Sequence, residues 1–296
     1  MAESRDISYG IQPDGFRLPD QTRVGRVQLR VADLGRSLEY YEGVLGLRAL
    51  VRSADRADLV PASDDRILVE LRERRGARPA PRRGTFGVFH FAILLPDRVA
   101  LGRFLRHALG RGVVSGVAHH AVSESIYLTD PDGLGIEVYA DRPRSEWRAQ
   151  ADRQLHITTE PLNVADVIDA GGAQPWTIAP SGTTMGHVHL HVGDLDRAAS
   201  FYHHAVGLDK TMWTYPGALF FSAGGYHHHL GTNTWSSGGA APADQARLLS
   251  WDLETTEPDA VAHSLSEAGY VASRHGDVWR AADPWGTVLQ IRALMI

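Results

Sequence analysis

Residues 119–137, HHAVSESIYLTDPDGLGIE, set histidine, tyrosine and carboxylate side chains at short intervals around an Asp130-Pro131-Asp132-Gly133 turn. If strands flank that turn, Tyr127 and Glu137 come from neighbouring strands and point into one cavity. An imidazole, a phenol and a carboxylate brought together there can hold a metal or move a proton. Asp130 and Asp132 themselves are read as turn formers. Histidine is conspicuous in the rest of the chain, at fifteen residues. His187, His189 and His191 alternate onto one face of a strand pattern, where they line a pocket or are solvated. In the run His227-His228-His229, strand parity lets either His228, or His227 and His229 together, face a cavity; His228 is the preferred candidate.

These groups need elements to position them. From Val24 the chain alternates, with Val27, Leu29 and Val31 on one face of a strand. Asp33 then caps a helix in which Leu34, Leu38, Tyr41 and Leu45 repeat at helical spacing, and Gly46 ends it. The stretch 25–47 aligns without gaps to 186–208, with ten of twenty-three positions identical. A weaker pair, 89–112 and 248–270, also reads strand then helix. Each of these runs on to a matching turn, Asp130 to Gly133 in one and Asp283-Pro284-Trp285-Gly286 in the other, followed by a last strand.

The chain therefore reads as an α+β protein of four βαβββ modules, at 24–74, 87–143, 185–235 and 247–294, forming two cup-shaped mixed-sheet barrels. By this division residues 1–23 are an N-terminal arm, 24–147 carry two modules, 148–184 form a connector and 185–296 carry the other two. Within the connector a short helix is expected over Val164 to Ala170, with surface packing rather than chemistry as its role.

Composition narrows the function. The chain has 296 residues, 43% hydrophobic and 22% charged, with a formal net charge of −5, a globular balance without the basic excess that a nucleic-acid partner requires. No cysteine is present, so disulfides and thiolate metal sites are excluded, in keeping with a reducing cytoplasm. No apolar run approaches the ~18 residues of a membrane span. The expectation is a cytoplasmic protein without a membrane partner, and a homo-oligomer is compatible with it.

The module openings Asp33 to Leu47 and Asp194 to Leu208 resemble those of the vicinal oxygen chelate superfamily of glyoxalases, extradiol dioxygenases and antibiotic-binding proteins. The likeness spans residues 24–294. More specifically, His119 or His120 followed by Ile126, Tyr127, Asp130, Pro131, Gly133 and Glu137 resembles the extradiol ring-cleavage signature. The runs 225–235 and 141–147 resemble two-domain catechol 2,3-dioxygenases of type I. In that superfamily, metal ligands fall on a module's first strand, seven residues before the Asp that ends it, and on its last strand. Carried onto this chain, the rule marks Arg26, His90 and His187 on first strands, and Glu137 and Gln290 on last strands.

The resemblance thus implies a metal set of His90, Glu137 and His187, suited to non-haem Fe(II), with Mn(II) fitting the same donors. It implies that His120, Tyr127 and His228 are the catalytic groups, and that a small aromatic diol and O2 are the substrates. Three ligands on one face leave the other free for both diol oxygens and O2, as ring cleavage next to a diol requires. Two alternatives remain. A glyoxalase-like isomerase or lyase would draw a fourth ligand from Gln290 or from 227–229, and a metal-free binding or resistance protein would need no ligands. Because the ligands come from modules two and three, those two modules should share a cup, leaving one and four to pair. Trp213, Tyr215, Phe220, Trp251 and Trp279 are candidates for the pocket wall.

Overall fold

The computed structural model describes residues 9–62, 64–81 and 83–294. Each module opening folds as its sequence dictates. The strand Arg23–Val31 hands over to the helix Leu34–Gly43, whose N-cap Asp33 accepts a hydrogen bond from the Arg36 amide. Leu34, Leu38 and Tyr41 form its buried face. The repeat at Asp194 starts identically, its side chain accepting from the Arg197 amide, but its helix is short. After Leu195–Ala199 the turns widen into a π-helix over Ser200–Ala205.

Among the described residues the strands make two mixed sheets, one of eight strands and one of nine. The nine-stranded sheet joins the strands of 85–141 to those of 184–233 through an antiparallel pairing of Thr85–Leu94 with Thr184–His191. The eight-stranded sheet joins 23–73 to 247–293 through the matching pair Arg23–Val31 and Arg247–Thr255. Within every module the last strand runs parallel to the first. Modules two and three therefore share one cup, and one and four share the other.

Helix-to-turn hydrogen bonds tie the cups together. The Tyr41 hydroxyl, on the first module's helix, donates to Asp130 Oδ2 in the turn of the second (3.1 Å). The Tyr202 hydroxyl on the third module donates to Asp283 Oδ2 in the turn of the fourth (2.9 Å). Asp130 Oδ1 also accepts the Asp132 and Leu134 amides, so the aspartates of this turn shape it and dock a helix on it. Apolar residues from both sheets and from the helices over them form one continuous core.

The described part of the N-terminal arm lies along the third module. Ile11 bridges Lys210, Leu18 is buried, and Arg17 makes a bidentate contact with Asp209. The connector helix spans Val164–Ala170, capped by Asn163. No helix among the described residues is long and apolar enough to cross a membrane.

Candidate metal centre

One parallel-strand contact and one antiparallel contact build the centre. Glu137 stands on the last strand of module two, directly opposite Ala92, two residues beyond His90. Across the middle of the sheet, His90 faces His189 and Ala92 faces His187. This crossing relates the modules by an approximate two-fold, which brings His90, His187 and Glu137 to one place. Their candidate ligand atoms all lie within 4.8 Å of one another, and all three residues are buried. Gly186 makes room beside them, since a Cβ there would meet the Tyr139 hydroxyl at 1.8 Å.

The electrostatics suit a cation. Burial pushes His187 down to about 4 and holds His189 and His228 well below the usual imidazole range, so these rings are neutral at pH 7. Burial works against the Glu137 carboxylate too, but the facing His187 and His90 more than offset it and hold the carboxyl well below its ordinary range. His187 Nε2 lies 3.1 Å from Glu137 Oε2 in hydrogen-bond geometry. His90 Nε2 lies 2.9 Å from the same oxygen. His187 Nδ1 is buried without a partner. The Nε2 atoms of two buried imidazoles converging on one buried carboxylate oxygen form a donor set that fits a bound metal.

The two-fold also identifies a fourth position. As His90 leads by two residues to Ala92 and its partner Glu137, His187 leads by two to His189 and its partner Gly231. Where a symmetric site would carry a fourth ligand, this chain has no side chain. A Cβ at Gly231 would meet the His189 ring at 2.9–3.0 Å, so that ring fills the place. Gln290 belongs to the other sheet, where its Nε2 donates to Ser250 Oγ (2.6 Å).

A cavity of about 300 Å3 opens beside the three residues. Tyr127 pairs directly with Glu137 across the hairpin, and both line this cavity. Burial and the Glu137 charge push the Tyr127 phenol well above its normal range, so it keeps its proton. It donates that proton to His120 Nε2 (2.7 Å), and not to a backbone carbonyl, while His120 Nδ1 donates to the Thr158 carbonyl (2.5 Å). His119 is the outward member of the pair, its Nδ1 3.9 Å from Glu160 Oε2.

His227, His228 and His229 lie in the loop that precedes the strand Leu230–Asn233, so alternation does not decide their direction. His228 lines the cavity, its ring 4.1 Å from that of His187. His227 Nε2 donates to Asp141 Oδ1 (2.9 Å), and the Nδ1 atoms of His227 and His228 are 2.7 Å apart. With one proton on each ring, His227 accepts there from His228, which leaves His228 Nε2 with a free lone pair. His229 turns away and accepts from the Ala223 amide (3.2 Å). His189 and His191 are both buried rather than solvated, and Asn233 joins them, bonding His191 Nδ1 through Oδ1 (2.6 Å) and His189 Nε2 through Nδ2 (2.9 Å).

Several site residues escape a reading of the sequence. The connector does more than cover a surface: Thr158 holds His120, and Ile157 and Thr159 line the cavity. A β-bridge of His119 with Glu160 pins it there. Of the five aromatic candidates, Tyr215 and Phe220 line the cavity. Trp251 is instead fully buried in the other sheet, Trp279 lies there too, and Trp213 packs on the core. Phe89 and Trp235 complete the wall; Trp235 ends the run 225–235 that carries the family likeness, while no motif singles out Phe89.

Comparisons with known proteins agree with this geometry. The Glyoxalase/Bleomycin resistance protein/Dioxygenase superfamily matches residues 23–138 and 184–290. A curated protein of Bacillus subtilis (strain 168), catechol-2,3-dioxygenase, is 40% identical over 273 residues, covering 90% of this chain and 95% of its own. A solved structure from Bacillus subtilis subsp. subtilis str. 168 superposes with a TM-score of 0.65 at 14% identity, covering 94% of this chain and 86% of that one. Glyoxalase I from Zea mays superposes with a TM-score of 0.55 at 20% identity, covering 92% of each chain. The paired βαβββ modules and these matches place the chain in the Glyoxalase/Bleomycin resistance protein/Dioxygenase superfamily, the vicinal oxygen chelate fold.

Proposed function

We propose that this protein is an extradiol dioxygenase, which opens a catechol-type ring beside its diol with O2 and a non-haem Fe(II) held by His90, Glu137 and His187. The observation that carries the reading is Gly231 at the fourth symmetric position. Two imidazoles and one carboxylate then form a three-donor set whose remaining face looks into an aromatic-walled cavity. The 40% identical catechol-2,3-dioxygenase supports the same class. Mn(II) suits the same donors, and a cytoplasmic setting agrees with a chain free of cysteine. A glyoxalase-like isomerase would want a fourth protein ligand, which Gly231 does not offer. A metal-free binding protein would leave the convergence of His90, His187 and Glu137 in the buried floor without a purpose.

Iron(II) in this set would supply Lewis acidity toward the diol oxygens and a path for electron density between the ring and O2. The chain's own groups do the rest. His228 Nε2, its lone pair fixed by the His227 and Asp141 contacts, takes a proton from a diol hydroxyl. Tyr127, its proton engaged by His120, offers its hydroxyl oxygen on the cavity wall as an acceptor for a diol hydroxyl when the ring enters. Phe220 and Ile157, both buried, keep water from the reacting atoms.

Protein loaded anaerobically with Fe(II) is expected to consume O2 with catechol and to form a yellow ring-cleaved product, and His187→Ala is expected to abolish both. No uptake with any catechol or hydroquinone would contradict the reaction, and full activity of the variant would contradict the ligand set.

A further inference from the structure

The cavity beside the metal residues changes character with depth. Its floor is His90, His187, His189, His228 and Glu137, all buried, whereas its mouth is framed by Phe89, which is 38% exposed, and Trp235, which is 42% exposed. The two rings meet edge to face with centroids 5.7 Å apart, and Tyr215 lies 6.2 Å from Trp235 on the same side. A Tyr215 hydroxyl contact with Thr159 Oγ1 (2.9 Å) ties this aromatic rim to the connector. Scattered single apolar residues on a surface need no explanation, but a ring of aromatics facing one another around a cavity mouth does.

Size and charge point the same way. An apolar cavity of ~150 Å3 is enough to hold a benzene ring. The space here is about 300 Å3, which leaves room beyond a dihydroxybenzene. Among the described residues no lysine or arginine lines it, so no fixed positive charge meets a carboxylate on the substrate.

We propose that this site, read as the extradiol centre above, takes an uncharged diol carrying an apolar substituent, which lies against Phe89, Tyr215 and Trp235 while the diol reaches the floor. Each buried methylene is worth up to ~4-fold in binding, so a four-carbon chain that half covers the rim gives roughly tenfold or more. Specificity between substituted and bare rings then resides in the rim rather than at the metal.

The test compares catechol, 4-butylcatechol and 3,4-dihydroxybenzoate on the Fe(II)-loaded full chain, by kcat/KM in air and by anaerobic binding followed through tryptophan fluorescence. Both readouts are expected to favour 4-butylcatechol over catechol by about tenfold, and catechol over the benzoate by at least that factor. Trp235→Ala is expected to bring the butylcatechol to catechol ratio close to one in both. Cleavage of catechol with equal or greater kcat/KM for the benzoate, or an unchanged ratio in Trp235→Ala, would overturn this proposal while leaving the ring-cleavage reading intact. Cleavage of none of the three would overturn both.

Discussion

The two cups are built from the same modules, and they fill their centres differently. At the four symmetric positions the nine-stranded sheet has His90, Glu137, His187 and Gly231, while the eight-stranded sheet has Arg26, Glu70, Ser250 and Gln290. Glu70 keeps the carboxylate of Glu137 and is as deeply buried. What faces it is a guanidinium: Arg26 Nη1 lies 3.0 Å from Glu70 Oε2, and its Nε lies 3.0 Å from Asp252 Oδ2. Arg72 and Arg292 add further contacts to the same two carboxylates. One cup thus answers its buried carboxylate with charge from the chain. The other sets the imidazoles of His90 and His187 against Glu137 instead. Under the proposed function, the first-strand residue, Arg26 in one cup and His90 in the other, sets whether the cation facing that carboxylate is a side chain or a metal.

The comparison breaks most sharply at the metal residues. Glu137→Ala should bring oxygen uptake with catechol to background while the circular dichroism spectrum stays native, and retained turnover would disconnect Glu137 from the centre. Next comes the structural cation. Arg26→Met removes the guanidinium between two buried carboxylates and should cost ~3 kcal/mol of folding stability by denaturant titration, with bound metal per chain unchanged. A neutral effect would mean that Arg72 and Arg292 suffice.

Asp141→Asn keeps the shape but loses the anion that fixes the His227 and His228 protons, and kcat should fall ~10–100-fold with little change in metal affinity. Equal losses in kcat and metal binding would show a structural role instead. The smallest effect is expected at the fourth position. Gly231→Ala presses a methyl on the His189 ring and should cost ~1–2 kcal/mol of stability, with metal still bound at one per chain. Loss of the metal in that variant would show that the His189 ring supports the site more than its packing suggests.

Much of this was legible in the residues, and the part that was not has a physical cause. Asp33 and Asp194 cap helices after alternating strands, a local pattern that repeats, so the modules and the register of His90, His187 and Glu137 could be read from the chain. Gly231 gained meaning only once the parallel pairing of two distant strands was known. His227 to His229 resisted a parity argument because they occupy a loop. The connector has no counterpart in the repeat to give it a register, and its bridge to His119 is a contact between segments some forty residues apart that no local pattern announces. Phe89 and Trp235 look like surface residues one at a time, and the mouth they form exists only in three dimensions.

Iron bound per chain tests the contrast between the cups most directly. With excess Fe(II) removed anaerobically, the native chain and Arg26→Met should each hold one iron, and Glu137→Ala should hold none. Two irons in the native chain, or one retained in Glu137→Ala, would contradict a single metal cup built on His90, Glu137 and His187.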